Sequence, residues 1–555
     1  MGTLLCAPMM VRDVDHALLR AREARDAGAD LVEFRVDELV SGEPGEAELI
    51  LGLVAESPLP CIVTCRPTWE GGACDADDMT RVALFEALGL SDHPPAYIDV
   101  ELAAYTRSAN LRQKVDLAID HEKQARDVRT SLILSTHDFD ARPADLTRRV
   151  LAMSQQHAAA VHKVAFRARS LRDNLELFDL LRERTKPMIA LGMGEFGLIS
   201  RVLAPKFGAF LTFASVHKEE TTAPGQPTLA EMLGLYRFRS ITPETRVYGV
   251  VGWPVGHSLS PHIHNAGFEG VGHDGVYLPL PIAAGQSEKK DGQDAHPTGE
   301  DGSYESFKAT LLALIDHRHL DLSGASVTIP HKENLARLAR EQGWTLDTLS
   351  ERCAAGNTIT IERDEGKLSV RVSNTDAPAA AACLREAMGA LAGKRVAIVG
   401  AGGVARAIGA GAASEGARVV IVNRTPERAA ALRASIGPEV SDVLSFDELA
   451  QSPPDAIVNA TPVGMAGGPA PESSPVPAHV LDACAQACVV FDTVYNPIDT
   501  PLLLAARERG LPTIDGVSMF VRQAAMQFEG WTGKPAPTQL FERIVREQLG
   551  AQPEA

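Results

Sequence analysis

The sequence has 555 residues, of which 45% are hydrophobic and 23% are charged. Its length predicts roughly two to four domains, and its composition is that of an ordinary globular protein. The formal net charge of −18 opposes binding to nucleic-acid phosphates or to an anionic membrane. We therefore expect no nucleic-acid or membrane partner, and the sequence leaves the oligomeric state open.

The sequence carries no recognisable targeting or membrane-spanning signal. It lacks a run of about 20 apolar residues, and charged residues follow its first apolar residues too soon for a secretory signal. Cys6 stands where an N-myristoylation signal has Ser or Thr. The pairs Cys61/Cys65 and Cys484/Cys488 are spaced too widely for the CxxC motif of a zinc site. We expect a cytoplasmic protein with reduced, mostly buried thiols and no bound metal.

Eight short apolar runs divide residues 1–236: LLCAPM, DLVEFRVD, PCIVTCR, AYIDVEL, TSLILSTHD, AVHKVAF, PMIALGMG and AFLTFAS. Amphipathic stretches with apolar residues three and four apart lie between them, which predicts helices between the strands. Eight such units predict an α/β fold of the (β/α)8, or TIM barrel, type. An open doubly wound sheet is the alternative, although it usually stops at about five to seven strands. The polar segment 237–246 is predicted to be a linker.

The second half of the chain has two further series of predicted strands. Residues 247–376 contain RVYGVVG, GVYLPLP, ASVTIP and NTITIE, and they predict an α/β domain. Residues 377–548 contain KRVAIVG, RVVIVNR, DAIVNAT and CVVFDTV in a new strand–helix rhythm, which predicts a Rossmann domain. The segment 283–303 has almost no apolar residues and is predicted to be a solvated loop. The few residues after 548 are expected to fray.

Charged side chains cluster where the predicted barrel strands end, which is where such barrels place their active sites. These residues are Glu33, Arg35, Arg66, Asp99, Glu101, His137 and Lys163, with Glu70 in the loop after strand three. Mutual pairing for stability would explain any one of them. Lys163 lies inside an apolar strand, and a neutral amine there can form a Schiff base with a ketone. His137, on the neighbouring strand, could then move protons as general acid and base.

The motifs EFRVD, TCRPTWEGG, IDVEL, STHDF, HKVAF, SR and TAPGQ follow one another in the order seen in type I 3-dehydroquinate dehydratases, which residues 1–236 resemble. The resemblance implies that Lys163 forms the Schiff base, that His137 is the general acid and base, and that Glu70 holds the histidine. It implies that the substrate is bound by Glu33, Arg35, Arg66, Arg201, Thr222 and Gln226. Thr222 departs from the family, which usually has Ser there.

A glycine-rich turn, GAGGVA, follows the strand KRVAIV and precedes a helix-forming run. Glycines there let the backbone approach a pyrophosphate, which the helix N-terminus attracts. A turn that only packs a helix on a strand is the alternative. The residues of this turn are Gly400, Gly402, Gly403 and Ala405. About 20 residues on, Asn423-Arg424-Thr425, with Arg428 one turn later, stands where an NAD enzyme has Asp or Glu, which favours NADP over NAD.

The second half resembles shikimate dehydrogenase through VYGVVGWPVGHSLSPHIHN, VTIPHKE, AAGNT, NTD, GAGGVARA, NRT, NATPVGM, DTVYNP and GVSMFVRQA in order. The resemblance implies a catalytic pair, Lys332 and Asp376, and a 2′-phosphate site at Asn423, Arg424 and Thr425. It implies that the substrate is bound by Ser258, Ser260, Thr328, Asn357, Tyr495 and Gln523. Two departures are Ser326, where the family often has Asn, and Ala377-Pro378, where it has Gly.

Together the two resemblances imply a bifunctional enzyme of the shikimate pathway, which leads to chorismate and the aromatic amino acids. The first half would dehydrate 3-dehydroquinate to 3-dehydroshikimate, and the second would reduce that product to shikimate with NADPH. Its partners would then be these small-molecule substrates. One alternative replaces the second activity with an NAD-dependent quinate dehydrogenase. Another is a catalytically dead sensor or repressor built from the same domains.

Overall fold

The computed structural model describes residues 2–120, 129–220, 222–223, 225–283, 300–364, 366–437 and 441–550. The chain divides into two compact units, Met1–Thr245 and Arg246–Ala555. Within the described ranges, no helix combines the length and the apolar character needed to cross a membrane.

The first unit contains one sheet of eight parallel strands. They are β1 (Leu4–Met10), β2 (Leu31–Arg35), β3 (Cys61–Thr64), β4 (Tyr97–Glu101), β5 (Ser131–Asp138), β6 (Ala159–Arg167), β7 (Met188–Met193) and β8 (Leu211–Phe213). Each strand pairs with the next from β1 to β7, and β1 pairs with both β2 and β8. Phe210, just before β8, donates its N–H to the Met188 carbonyl of β7 at 2.8 Å. This near-closed arrangement confirms the predicted barrel.

Helices connect the barrel strands. They are α1 (Val14–Asp26), α2 (Glu46–Ala55), α3 (Asp78–Leu90), α4 (Leu102–Arg107), α5 (Ala109–Ile119), α6 (Leu146–Ser154), α7 (Asp173–Glu183) and α8 (Leu198–Val202), with short turns at Thr68–Glu70, Glu195–Gly197, Lys218–Glu220, Glu231–Leu235 and Phe238–Ser240. Helix α1 begins where the Asp13 side chain accepts a hydrogen bond from the His16 N–H. Its buried residues Leu18, Ala21 and Ala24 recur at the three-residue spacing that one helix face requires.

The predicted linker, 237–246, is packed on the barrel over most of its length. Phe238 and Ile241 are 1% and 7% exposed, and Thr245 is 2% exposed. The buried Lys206 donates from Nζ to the Thr245 carbonyl at 2.7 Å. This segment is therefore fixed to the first unit by apolar burial and by hydrogen bonds.

The second unit contains two sheets, of which the first is mixed. Its elements are β9 (Arg246–Gly252), α9 (Ser260–Gly270), β10 (Gly275–Pro281), α10 (Glu300–Asp316), β11 (Leu322–Val327), α11 (Lys332–Gln342), β12 (Thr345–Leu346), α12 (Thr348–Cys353), β13 (Thr358–Asp364) and β14 (Lys367–Ser373). The strand order is β10-β9-β11-β13-β14-β12, and β13 runs antiparallel to β11 and β14. The loop predicted over 283–303 lies largely outside the described residues, and its last residues, from Glu300, are helical.

The second sheet is entirely parallel. Its elements are α13 (Asp376–Met388), β15 (Arg395–Val399), α14 (Gly403–Ser414), β16 (Arg418–Val422), α15 (Pro426–Ile436), β17 (Ser441–Val443), α16 (Phe446–Gln451), β18 (Ala456–Asn459), α17 (Ala478–Ala483), β19 (Val489–Asp492), α18 (Pro501–Glu508), β20 (Thr513–Ile514), α19 (Gly516–Thr532) and α20 (Thr538–Gly550). The strand order β17-β16-β15-β18-β19-β20 is that of a doubly wound dinucleotide-binding fold. It confirms the predicted Rossmann architecture.

The last two helices return to the mixed sheet. Phe528 and Trp531 of α19 and Phe541 of α20 form one buried cluster with Tyr248 and Phe268. Trp531 also donates from Nε1 to the Ile359 carbonyl of β13 at 3.1 Å. The predicted range 377–548 thus contains two helices whose aromatic residues belong to the core of the other sheet.

Candidate active sites

Lys163 lies in the barrel interior between two carboxylates. Its Nζ donates to Asp99 Oδ2 at 2.8 Å and to Glu33 Oε1 at 3.3 Å, and it stands 4.8 Å from the centre of the Phe213 ring. The Lys163 side chain is only 6% exposed. The Thr64 hydroxyl holds the same Glu33 oxygen at 2.7 Å. The amine is therefore fixed in a site from which water is largely excluded.

Arg66 joins the neighbouring strands into one charged network. It donates to Asp99 Oδ1 at 2.8 Å, to Glu101 Oε1 at 2.7 Å and to the Ser135 hydroxyl at 2.9 Å. Burial alone would raise the pKa of Asp99, but the charges of Arg66 and Lys163 hold it well below its usual range. From the sequence, Asp99 and Glu101 were predicted only as charged residues at a strand end, without a role. Asp99 and Glu101 are two residues apart on β4, so both side chains face the barrel interior. This spacing was the sequence signal for their part in the network.

His137 and Glu70 form the second cluster at this end of the barrel. Glu70 Oε1 lies 2.9 Å from the His137 backbone N and 3.0 Å from its ring Nδ1. Burial raises the pKa of Glu70 to about 8. Burial, with the charges of Arg66 and Lys163, lowers the pKa of His137 well below its ordinary value. The imidazole is thus held through Nδ1, and Nε2 is the ring nitrogen that this contact leaves available.

Arg201, on α8, is a buried cation with unused donors. It is 1% exposed, and its Nε and Nη2 atoms have no hydrogen-bond partner within the described part of the chain. Burial lowers its pKa to about 10. The Nε2 atom of Gln226 is likewise buried without a described partner, and Gln226 Oε1 accepts from the Thr222 hydroxyl at 3.2 Å. An anionic or hydroxylated ligand would satisfy these donors.

The structure thus brings some of the predicted barrel residues into direct contact and leaves others apart. Lys163, Glu33 and Arg66 share one network through Asp99, and Glu70 lies 3.8 Å from Arg66, at its edge. Arg35 instead pairs with the buried Asp37 at 3.1 Å, a contact the sequence analysis did not anticipate.

In the second unit, Lys332 Nζ donates to Asp376 Oδ2 at 2.5 Å. Lys332 is the first residue of α11 and Asp376 the first residue of α13, so the two helix starts meet. Both side chains are nearly buried, at 12% and 8% exposed. The Lys332 carbonyl accepts from the Gly356 N–H at 2.9 Å, which places the Gly356-Asn357 segment beside the pair.

Asn357 is clamped to the segment that carries Asp376. Its Nδ2 donates to the Thr375 hydroxyl at 2.9 Å, and its Oδ1 accepts from the Thr375 N–H at 2.8 Å. Gln523 Oε1 lies 3.5 Å from the same hydroxyl. Thr375 is the middle residue of the NTD motif, but the sequence predicted no role for it.

The other predicted substrate residues of this unit lie at the ends of neighbouring elements. Ser260 begins α9, and its N–H donates to the Ser258 hydroxyl at 3.3 Å. Thr328 follows β11 directly and donates its N–H to the Val251 carbonyl at 2.8 Å. The Tyr495 ring stacks on that of Phe520, with 4.7 Å between ring centres.

The glycine-rich turn lies against the lysine of the pair. Gly400 has φ of 120°, and a Cβ there would stand 2.9 Å from the Ala460 carbonyl oxygen, so only glycine fits. A Cβ on Gly403 would lie 3.6 Å from Lys332 Cβ, whereas a Cβ on Gly402 would meet nothing within 4 Å. Helix α14 begins at Gly403 and points its N-terminus at this open space.

The residues predicted to bind a 2′-phosphate follow β16. Asn423 Nδ2 donates to the Thr425 carbonyl at 3.0 Å, and Thr425 occupies the N-cap position of α15 without a side-chain capping bond. Arg424 and Arg428 are both exposed. Two guanidinium groups therefore stand near one helix start, where an anion is favoured.

All eight cysteines are free thiols, and seven of them are buried. Among the described residues, no group of three or more His, Cys, Asp or Glu side chains is placed to hold a metal ion.

Family models match both units. The model for type I 3-dehydroquinase matches residues 5–243, that for the shikimate dehydrogenase substrate-binding domain matches 250–359, that for shikimate/quinate 5-dehydrogenase matches 382–462, and that for the shikimate 5′-dehydrogenase C-terminal domain matches 516–546.

Similar proteins span one or both units. The chain is 35% identical to the chloroplastic bifunctional 3-dehydroquinate dehydratase/shikimate dehydrogenase of Arabidopsis thaliana, over 98% of this chain and 84% of that protein. It is 37% identical to a shikimate dehydrogenase (NADP(+)) of Methanocella arvoryzae, over 55% of this chain and 99% of that protein. A solved structure of the dehydroquinate dehydratase and shikimate dehydrogenase of S. pombe is 25% identical with a TM-score of 0.42, over 98% of each chain. The chain belongs to the family of bifunctional 3-dehydroquinate dehydratase/shikimate dehydrogenases.

Proposed function

We propose that the first unit dehydrates 3-dehydroquinate through a Schiff base on Lys163. The amine attacks the substrate ketone, water leaves, and the resulting iminium draws electrons from the adjacent carbon. Neutral His137 removes the proton from that carbon, and the hydroxyl one carbon further leaves as water with a proton returned by His137. Hydrolysis of the iminium then releases 3-dehydroshikimate. The single observation that carries this proposal is the buried Lys163 amine fixed beside Asp99 and Glu33, whose charges stabilise the cationic iminium.

The unused donors of the barrel supply the substrate contacts in this proposal. Arg201 binds the substrate carboxylate with its free Nε and Nη2 as a bidentate fork. Thr222 and Gln226 bind hydroxyls from the loop after β8, while Glu33, Arg35 and Arg66 line the pocket. Glu70 positions His137 through Nδ1.

We propose that the second unit reduces 3-dehydroshikimate to shikimate. NADPH bound along the glycine-rich turn would supply the hydride. Lys332 donates a proton to the substrate carbonyl oxygen as it becomes a hydroxyl, and Asp376 orients the Lys332 amine. The substrate is held by Ser258, Ser260, Thr328, Asn357, Tyr495 and Gln523.

The residues of the turn fit such a cofactor. The space beside Gly402 is open, and the start of α14 attracts a pyrophosphate. Gly400, Gly403 and Ala405 would form the pyrophosphate site with Gly402, and Asn423, Arg424, Thr425 and Arg428 would bind the 2′-phosphate that distinguishes NADP from NAD. The two exposed guanidinium groups disfavour the NAD-dependent quinate dehydrogenase alternative.

The dead sensor or repressor alternative predicts that the reactive contacts are lost. Instead, the contacts of Lys163 with Asp99, of His137 with Glu70 and of Lys332 with Asp376 are all present. We assign the dehydratase to residues 1–236 and the dehydrogenase to 247–548. Location in the cytoplasm, and the absence of nucleic-acid and membrane partners, stay predictions.

Two measurements on the full chain test the proposal. Supplied with 3-dehydroquinate and NADPH, the protein should consume NADPH and form shikimate; failure of either step refutes that half. With 3-dehydroquinate and borohydride, the reduced adduct should add mass to the Lys163 peptide and block the dehydratase alone. His137→Ala should still form this adduct but lose turnover. Lys186, which is bonded to backbone carbonyls, serves as the matched lysine, and labelling there instead refutes the assignment.

A further inference from the structure

A buried carboxylate, that of Asp37, lies at the base of the loop that carries Glu70. Asp37 follows the end of β2 by two residues, and its side chain is fully buried. Its Oδ1 accepts a hydrogen bond from the Arg66 N–H at 3.0 Å, and its Oδ2 accepts one from the Ala73 N–H at 3.3 Å. These two N–H groups stand at opposite ends of the segment 66–73. One carboxylate therefore holds both ends of the loop.

The loop is also braced by its own main chain. The Cys74 N–H donates to the Arg66 carbonyl and the Thr68 N–H donates to the Cys74 carbonyl, both at 3.1 Å. The two sides of the loop touch at Gly72, where a Cβ would lie 2.0 Å from the Arg66 carbonyl oxygen. Because the loop is braced in this way, a movement of its base carries Glu70 with it.

The same carboxylate forms a bidentate pair with Arg35. Arg35 Nε donates to Asp37 Oδ1 at 3.1 Å, and its Nη2 donates to Oδ2 at 2.5 Å. The guanidinium compensates the negative charge, which would otherwise be costly to bury. Four donors thus converge on two oxygens, two on each. A carboxamide in this place would offer one acceptor oxygen to the same four donors.

We propose that Asp37 is a positioning residue of the first active site, which sets the base of the loop so that Glu70 reaches both the backbone N–H and the ring of His137. This inference rests on the proposed function, because the position of His137 matters here for proton transfer. Asp37 acts through the main chain of the loop, so its effect on the reaction passes through Glu70. It therefore bears on the proton-transfer steps and not on the attack of the Lys163 amine.

A double-mutant cycle on the dehydratase kcat of the full chain tests this role. Asp37→Asn keeps the size of the side chain but leaves one end of the loop without its acceptor, so kcat should fall roughly tenfold. In a Glu70→Ala background the same substitution should lower kcat less than about twofold, because the residue through which it acts is absent. The readout is kcat rather than KM, since Arg35, a proposed substrate ligand, also loses its partner. An equal fall in both backgrounds, or an unchanged kcat in Asp37→Asn, overturns the proposal.

Asp30→Asn is the matched control. Asp30 Oδ2 also accepts from a backbone N–H, that of Leu5 at 2.7 Å, and from an arginine, Arg239, at 2.8 Å. Asp30 precedes β2 and so lies at the opposite end of that strand from the loop. Its replacement should therefore leave kcat unchanged. A fall in kcat as large as that of Asp37→Asn would show a general loss of stability and would overturn the assignment.

Hydrogen exchange and adduct formation separate a local change from a disturbed barrel. In Asp37→Asn, peptides covering 66–74 should exchange faster, whereas those of β5 and β6 should keep their protection, and the borohydride adduct at Lys163 should still form. If protection is lost throughout the first unit, Asp37→Glu takes the place of Asp37→Asn in the cycle, since it keeps the charge but displaces the base of the loop. Equal falls in both backgrounds then overturn the proposal. A parent protein that does not dehydrate 3-dehydroquinate would instead refute the proposed function.

Discussion

Replacing Arg201 with Met should stabilise the first unit while it abolishes most of its activity. The buried guanidinium has a pKa lowered from 12.5 to about 10 by burial. At about 1.4 kcal/mol for each pKa unit, this difference corresponds to roughly 3 kcal/mol by which burial disfavours the charge. Methionine has a similar length and no charge, so the free energy of unfolding should increase by up to about 3 kcal/mol. Without the fork for the carboxylate, kcat/KM for 3-dehydroquinate should fall at least roughly 30-fold.

The assay has to report on the first unit within the full chain. Hydrogen exchange of peptides from the barrel strands, followed in rising denaturant, gives the free energy of unfolding of that unit. Arg201→Lys is the matched control, because it loses the fork but keeps the charge and should gain no stability. Shikimate oxidation should be the same in all three proteins. An Arg201→Met protein that is less stable than the parent would show that the guanidinium has partners within the folded unit. One that keeps the dehydratase kcat/KM would show that Arg201 does not bind the substrate carboxylate.

Three further predictions concern pH, the cofactor and the linker. Burial lowers the pKa of His264 from 6.5 to about 3. Between these pH values His264 is protonated in the unfolded chain and neutral in the folded one. Stability of the second unit should therefore fall by about 1.4 kcal/mol per pH unit from pH 6.5 towards 3, and urea titrations should show a shallower fall for His264→Phe. Arg424→Ala should weaken NADPH binding about 10- to 100-fold with NADH unchanged, by fluorescence titration; an unchanged preference refutes the phosphate contact. A fragment 1–245 should melt several degrees above 1–240, since the shorter piece exposes the site of Ile241; equal melting temperatures contradict this.

Much of the architecture could be predicted because strand sequences in parallel sheets are strongly apolar. Each of the eight barrel strands overlaps a predicted run, and so do β9, β10, β11, β13, β15, β16, β18 and β19 of the second unit. The strands that were missed, β12, β14, β17 and β20, are either very short or polar on the exposed face, as in KLSVRVS. The linker was predicted from its polarity, but the few apolar residues in it, such as Ile241, determine where it packs.

The candidate sites were predicted from motifs, and a motif does not show which side chains are in contact in the folded protein. Lys163 was expected in a reactive setting, but its immediate partners, Asp99 and Glu33, follow only from strand order and inward orientation. Arg201 was expected to bind a carboxylate, whereas its complete burial without described partners depends on tertiary packing. The contact between Gln527 and Ser326 could not be found in this way, because it depends on how α19 returns to a sheet formed some 200 residues earlier.

The path of the chain between the two sheets of the second unit determines how its cleft can move. The chain leaves the mixed sheet through α13 and returns through α19, and these two helices pack side by side. At the start of α19, a Cβ on Gly516 would lie 2.3 Å from the Val494 carbonyl oxygen, so this end of the helix is wedged against the parallel sheet. Two adjacent connections of this kind would restrain twisting and sliding of one sheet against the other. Lys332 follows the mixed sheet and Gly403 follows the first strand of the parallel sheet, so any rotation about these two helices would change the gap between Lys332 and the glycine-rich turn.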